Sequence, residues 1–230
     1  MSQIVELAHE HVAGPAPAER RILFLHGALG SGANLRSIAK KFVAARAGWD
    51  AWLIDLRGHG DSPKGTPDGS LAAMADDVRD LCAFSLPVEA IVGHSLGGKV
   101  ALEILRRGFN PILSRDQRSL VPLSHVVTLD SNPGSREPLR DGDSALAVLD
   151  LLQALPPLFR SRQDFVDEIV RRGKSIGLAQ WLAMSTVSTG EGVRFALNLD
   201  ELRALLLSYF AEDLWSVVEN PSGDTRVHLV

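Results

Sequence analysis

The chain has 230 residues, 45% hydrophobic and 23% charged, an ordinary globular composition with enough length for one domain and a sizeable core. A formal net charge of −4 gives no reason for a nucleic-acid or anionic-membrane partner. The single cysteine, Cys82, excludes an internal disulfide framework and a cysteine-based metal site.

The opening stretch MSQIVELAHEHVAG has no basic start followed by an apolar run, and no apolar stretch of membrane-spanning length follows. A cytoplasmic location is the expectation. Residues 4–11 read as an antiparallel edge strand, and His9 and His11 fit that pattern better than a metal pair. RILFLHG (21–27) is a short apolar run without polar alternation, as expected of a strand covered on both faces. It ends in His26-Gly27-Ala28, where glycine lets the chain bend and turn the Ala28 N–H inward. His26 reads as a hydrogen-bonded buttress of that loop. A helical pattern over 33–47 leads to the next strand, DAWLIDLRG (50–58). In the following DLRGHGDSP (55–63), Asp55 and the glycines suit a compact loop that Arg57 can tie down. His59 reads as loop-stabilising rather than catalytic. The helix expected over 70–84 carries Met74, Val78, Leu81 and Cys82 on one face, making Cys82 a small core residue.

Residues 88–95, VEAIVGHS, form the next expected strand and run directly into a helix over 96–107. At the junction stands Gly93-His94-Ser95-Leu96-Gly97. Gly-x-Ser-x-Gly alone is a weak signal, but its place between strand and helix is the context a nucleophile elbow requires. Such a turn lifts the Ser95 hydroxyl above the sheet and aims the first free N–H groups of the helix at whatever the serine attacks. The N–H groups of Ala28 and Leu96 would then form a two-donor oxyanion hole. SHVVTLD (124–130) is another strand, ending at Asp130 on the same sheet edge, where ligands of open α/β sheets bind. Residues 133–220 show helical periodicity at 144–155, 163–172 and 199–218, with no convincing strand, and read as a helical cap. TRVHLV (225–230) reads as a last buried strand. The expected class is therefore α/β: a mostly parallel, doubly wound sheet with a core over 1–132, a cap over 133–220 and a core strand in 221–230.

HGALGSGANLRSIAKKF, DLRGHGDSP, GHSLGGKVAL, VVTLDSNPG and FALNLDEL together resemble the α/β-hydrolase superfamily. The closer likeness is to a branch of small serine esterases from bacteria, plants and animal mitochondria, and it runs from about residue 20 onward. The resemblance implies Ser95 as nucleophile, Ala28 and Leu96 as oxyanion donors and Asp130 as the acid. Asp200 in NLDEL is a second candidate acid that equally fits a helix start. No metal or organic cofactor is implied.

The family order places the base histidine after the acid. After Asp130 only His228 remains, expected to be mid-strand and packed. His125 begins the strand that ends at Asp130, roughly 16 Å away at the wrong end of the sheet. His26 and His59 are the remaining upper-loop histidines. The expectation is a serine hydrolase of small carboxylic esters or thioesters whose turnover is strongly reduced because its base is missing. The alternative is a non-catalytic protein of the same fold that binds a small ligand. Without the family's last strand and closing helix, 225–230 would be an apolar edge able to pair with a second copy of the chain.

Overall fold

The structure describes residues 3–64, 69–83, 86–108 and 123–230. In this computed structural model the described residues form eight strands: β1 (His9–Val12), β2 (Arg20–Leu25), β3 (Trp49–Ile54), β4 (Val88–His94), β5 (His125–Leu129), β6 (Thr186–Thr189), β7 (Gly192–Phe195) and β8 (Arg226–Leu229). Six of them form one sheet in the order β1-β3-β2-β4-β5-β8. β1 runs antiparallel to β3, and every other neighbouring pair in the sheet is parallel.

The apolar runs form strands because both sheet faces are covered. Along β2, Leu23 and Leu25 enter one apolar cluster while Ile22 and Phe24 enter the other, the two-residue alternation of a pleated strand. Helix α1 (Arg36–Ala44) covers one face through Ala39 and Val43. Helices α2 (Leu71–Leu81) and α3 (Leu96–Arg106) cover the other through Met74, Val78, Val100 and Ile104. Ser70 caps α2, its Oγ accepting the Ala73 N–H at 3.2 Å. The last position of the helix expected over 70–84 lies outside the described residues. Cys82 is fully buried, and burial pushes its thiol up to about 12.

The later segment contains α4 (Ala145–Gln153), α5 (Arg162–Arg171), α6 (Ile176–Ala183), α7 (Leu199–Ala211) and α8 (Trp215–Glu219). Its Leu146, Phe165, Leu182 and Leu206 join the same apolar cluster as Leu96 and Val100 of α3. Three expectations need correction. The segment is not free of strands: β6 and β7 form an antiparallel hairpin closed by Gly190-Glu191, with Thr189 opposite Gly192. Thr186, Val187 and Thr189 are β-branched, and a two-residue loop is a favoured hairpin connection. The single helix expected over 199–218 is two, because the backbone turns extended at Glu212, where ψ is 134°. Finally, the strand in 225–230 is not buried: among the described residues β8 pairs with β5 alone, and Arg226, His228, Leu229 and Val230 are exposed.

Candidate active site

The parallel strands β2, β3, β4 and β5 all end on one edge of the sheet, delivering His26, Asp55, Ser95 and Asp130 to it. Ser95 is the residue between β4 and α3, with φ +49° and ψ −112°, a conformation that costs an L-residue free energy and is kept where surrounding contacts enforce it. Here they do. The Ser95 N–H donates to the Leu129 carbonyl at 2.9 Å. Its carbonyl accepts from the Gly98 N–H at 2.9 Å and from Ser131 Oγ at 2.7 Å. The flanking glycines are steric necessities. A Cβ on Gly93 would lie 2.1 Å from the Gly97 carbonyl oxygen, and one on Gly97 would lie 2.3 Å from that of Leu25.

The loop after β2 is locked to this turn. The Gly97 N–H donates to the His26 carbonyl at 3.1 Å, and a Cβ on Gly27 would stand 3.4 Å from Ser95 Cβ. His26 is buried, and its Nε2 accepts the Leu56 N–H at 3.0 Å. Its proton must therefore sit on Nδ1, which donates to the Gly27 carbonyl at 2.8 Å. Burial, reinforced by nearby His59, lowers its pKa to about 3 and keeps the ring neutral. This is the buttress the sequence suggested. Among the described residues, the N–H groups of Ala28 and Leu96 donate to no protein acceptor.

The loop after β3 is equally fixed. Asp55 accepts from the Gly32 N–H at 2.7 Å and the Asp61 N–H at 3.0 Å. Arg57 makes a buried two-point ion pair with Asp77, at 2.6 and 2.7 Å. His59 places Nε2 2.8 Å from the Ala28 carbonyl oxygen and Nδ1 3.0 Å from that of Arg57. Burial lowers its pKa, opposed by these two hydrogen bonds.

Asp130 stands at the end of β5 with φ +46° and is exposed. It follows Leu129, whose carbonyl holds Ser95, and precedes Ser131, whose hydroxyl does the same. Asp200 lies instead on the surface of α7, accepting from Gln153 Nε2 at 2.9 Å, while Asn198 caps that helix. The histidines are distributed as follows. His9 stacks near Trp52 with ring centroids 4.1 Å apart, and His11 meets Asp50 at 2.9 Å. His228, expected to be packed, is exposed, with its Nε2 3.0 Å from Nδ1 of His125. Among the described residues no histidine hydrogen-bonds the Ser95 hydroxyl, and no group of three metal-ligating side chains occurs. Among the described residues no helix is long and apolar enough to cross a membrane.

Two contributors escaped the sequence reading. Ser131 was visible only as part of the turn after Asp130. Lys99 lies within GHSLGGKVAL, one of the stretches that carry the resemblance, and has no role assigned from the sequence. Its buried Nζ donates to the carbonyls of Gly134, Tyr209 and Glu212 at 3.0, 2.7 and 2.6 Å. A cavity of about 430 Å³ between residues 57–59, the start of α2 and α7 is walled by Met74, Leu197, Leu202 and Leu205, with His59 at its side. Ser95 is not in its wall, so it is not read as the place where a substrate meets the serine.

The sequence pattern of the alpha/beta hydrolase family matches residues 22–227. The mouse protein named sn-1-specific diacylglycerol lipase ABHD11 is 31% identical over 185 residues, covering 79% of this chain and 56% of that protein. The chain spans roughly a third to three-fifths of the curated relatives it matches first, 56%, 36% and 59% of their lengths. Among solved structures, one titled a marine microorganism esterase superposes with a TM-score of 0.74 at 20% identity, covering 98% of this chain and 91% of that one. A thioesterase domain from the curacin biosynthetic pathway gives 0.62 at 17% identity, covering 99% and 82%; at these identities the likeness shows the fold. The family pattern, the sheet order and the strand–turn–helix at Ser95 agree, and the chain belongs to the alpha/beta hydrolase family.

Proposed function

We propose that this hydrolase-family chain is built as a serine hydrolase of small carboxylic esters or thioesters, with Ser95 as the nucleophile. The observation that carries the proposal is the strained turn at Ser95, locked to the 26–28 loop beside the unpartnered N–H groups of Ala28 and Leu96. Strain of this kind persists where function needs it. In the proposed reaction Ser95 Oγ attacks the ester carbonyl. The Ala28 and Leu96 N–H groups hold the resulting oxyanion, and Asp130 is the group that would orient a base histidine. The name of the mouse relative, a diacylglycerol lipase, supports ester chemistry.

The same geometry sets the expected rate. His26 and His59 have their ring nitrogens committed to backbone groups, and His125 pairs with His228. Among the described residues no histidine hydrogen-bonds the Ser95 hydroxyl to take its proton. Loss of one triad member leaves roughly 10³–10⁴-fold acceleration over water, from the oxyanion hole and binding. That observation also favours the second reading, a protein of this fold that binds a small ligand without turning it over.

The test is reaction of the purified chain with a fluorophosphonate, read by intact mass, beside Ser95→Ala and beside hydrolysis of a short-chain aryl ester. The expected result is one slow adduct, absent in Ser95→Ala, with ester turnover far below ordinary enzyme rates. An adduct that survives Ser95→Ala would overturn the nucleophile assignment. Rapid turnover lost in Ser95→Ala would overturn the missing-base reading. Absence of any adduct, with reversible ester binding, would select the second reading.

A further inference from the structure

Ala28 lies between two peptide groups, and both must be fixed before its N–H can hold a constant direction. The first carries the N–H itself. Its carbonyl end, Gly27 O, accepts from His26 Nδ1 at 2.8 Å and from the Gly30 N–H at 3.0 Å. The carbonyl and N–H of a trans peptide point opposite ways, so anchoring Gly27 O directs the Ala28 N–H away from those donors. The second peptide carries the Ala28 carbonyl. Among the described residues its one hydrogen-bond partner is His59 Nε2, at 2.8 Å, from a loop 31 positions later in the chain.

We propose that His59 is a positioning residue for the oxyanion loop: as the Nε2–H tautomer it holds the Ala28 carbonyl and so fixes the backbone on both sides of the Ala28 Cα. The inference rests on the serine-hydrolase reading and adds a group to it that touches neither substrate nor Ser95. The tautomer follows from the contacts. Both ring nitrogens face carbonyl oxygens, a neutral imidazole carries one N–H, and the Ala28 contact is the shorter of the two. The ring is 4% exposed, with the His26 ring 5.0 Å away and the Asp55 charge only weakly opposing the effect of burial. Burial keeps it neutral, leaving one proton to place.

Two measurements on the full chain test this. The first is the imidazole ¹⁵N spectrum at neutral pH together with the Ala28 amide resonance. The proton of His59 is expected on Nε2, and the Ala28 amide is expected to shift in His59→Leu and much less in His59→Gln, whose side-chain N–H can reach the same carbonyl. The second is the rate of fluorophosphonate attack on Ser95. Losing a whole oxyanion donor costs about 10²–10³-fold, and loosening one is expected to cost about tenfold. His59→Leu should therefore slow labelling about tenfold at unchanged half-saturating probe concentration, and His59→Gln should recover most of it. A His59 proton on Nδ1 would overturn the inference even if His59→Leu fails to fold. Wild-type labelling by a folded His59→Leu would overturn it too. Failure of the underlying reading looks different, as labelling that persists in Ser95→Ala.

Discussion

Ser95 and Asp130 are the two non-glycine residues with positive φ among those described, at +49° and +46°. Each ends a parallel strand, and each is held by hydrogen bonds from neighbouring strands. Glycine adopts such angles without steric cost, so Ser95→Gly should make the protein more stable, by about 1 kcal/mol, while removing the proposed nucleophile. Urea unfolding checks this, and an equal or lower midpoint would mean that the turn is unstrained. Gly97 predicts the opposite sign. Its Cβ would meet backbone at 2.3 Å, which cannot swing aside, so Gly97→Ala should cost about 3 kcal/mol or more. The buried histidines give a pH dependence. His26 stays neutral in the folded protein down to about pH 3, against 6.5 for the free ring, and burial moves His59 the same way. Below 6.5 the unfolded chain therefore binds protons that the native one does not, and stability falls as pH falls. Each such histidine contributes up to ~1.4 kcal/mol per pH unit. Between about pH 6.5 and 5.5 ordinary carboxylates stay almost fully ionised, so urea melts across this window should show the loss, and a flat profile would refute it.

At the level of elements, β2, β3, β4 and β5 were legible because each is short, largely apolar and covered, whereas the later segment was legible only where helices are amphipathic. Helix α6, IGLAQWLA, is apolar nearly all round and gives no periodic signal, and Gly190-Glu191 reads as a breaker until strands are seen on both sides of it. The end of α7 was not readable from nearby residues at all. It is set by Lys99, 110 positions away from Tyr209, whose carbonyl it holds. The site divides in the same way. The turn around Ser95 is a local pattern and is visible in five residues, but the contacts from His59 to Ala28 and from Ser131 to Ser95 join separate loops. Lys99 also makes an element-scale prediction. Its ammonium is the link between α3, the turn at Gly134 and the end of α7. Lys99→Met leaves three carbonyls short of a charged donor, at a cost of about 3 kcal/mol. Hydrogen exchange should show the last turn of α7 losing protection before β4 does. Uniform loss across both would mean that the lysine supports the whole fold rather than this junction.

For the whole molecule, the consequential feature is the β8 side of the sheet. The Arg226 and Val230 N–H groups bond to β5, so Val227 and Leu229 direct their N–H and carbonyl groups outward. An antiparallel second copy of β8 centred on His228 would pair each Val227 with the partner's Leu229, completing four backbone hydrogen bonds. At ~1 kcal/mol each, these fall short of the roughly 4–15 kcal/mol that association costs. Apolar surface must supply the rest. It is present beside the same edge, where a groove of about 520 Å³ is walled by Ile22, Phe24, Phe42, Val92, Val127 and Val230. We therefore expect a weak homodimer across β8, seen by sedimentation velocity at micromolar concentrations. His228→Lys should abolish it, because the two-fold sets the lysines directly opposite one another, where like charges repel. The substitution is at an exposed position and should leave the melting temperature nearly unchanged. A wild-type chain that sediments as a monomer throughout, or a dimer indifferent to His228→Lys, would place the association elsewhere or nowhere.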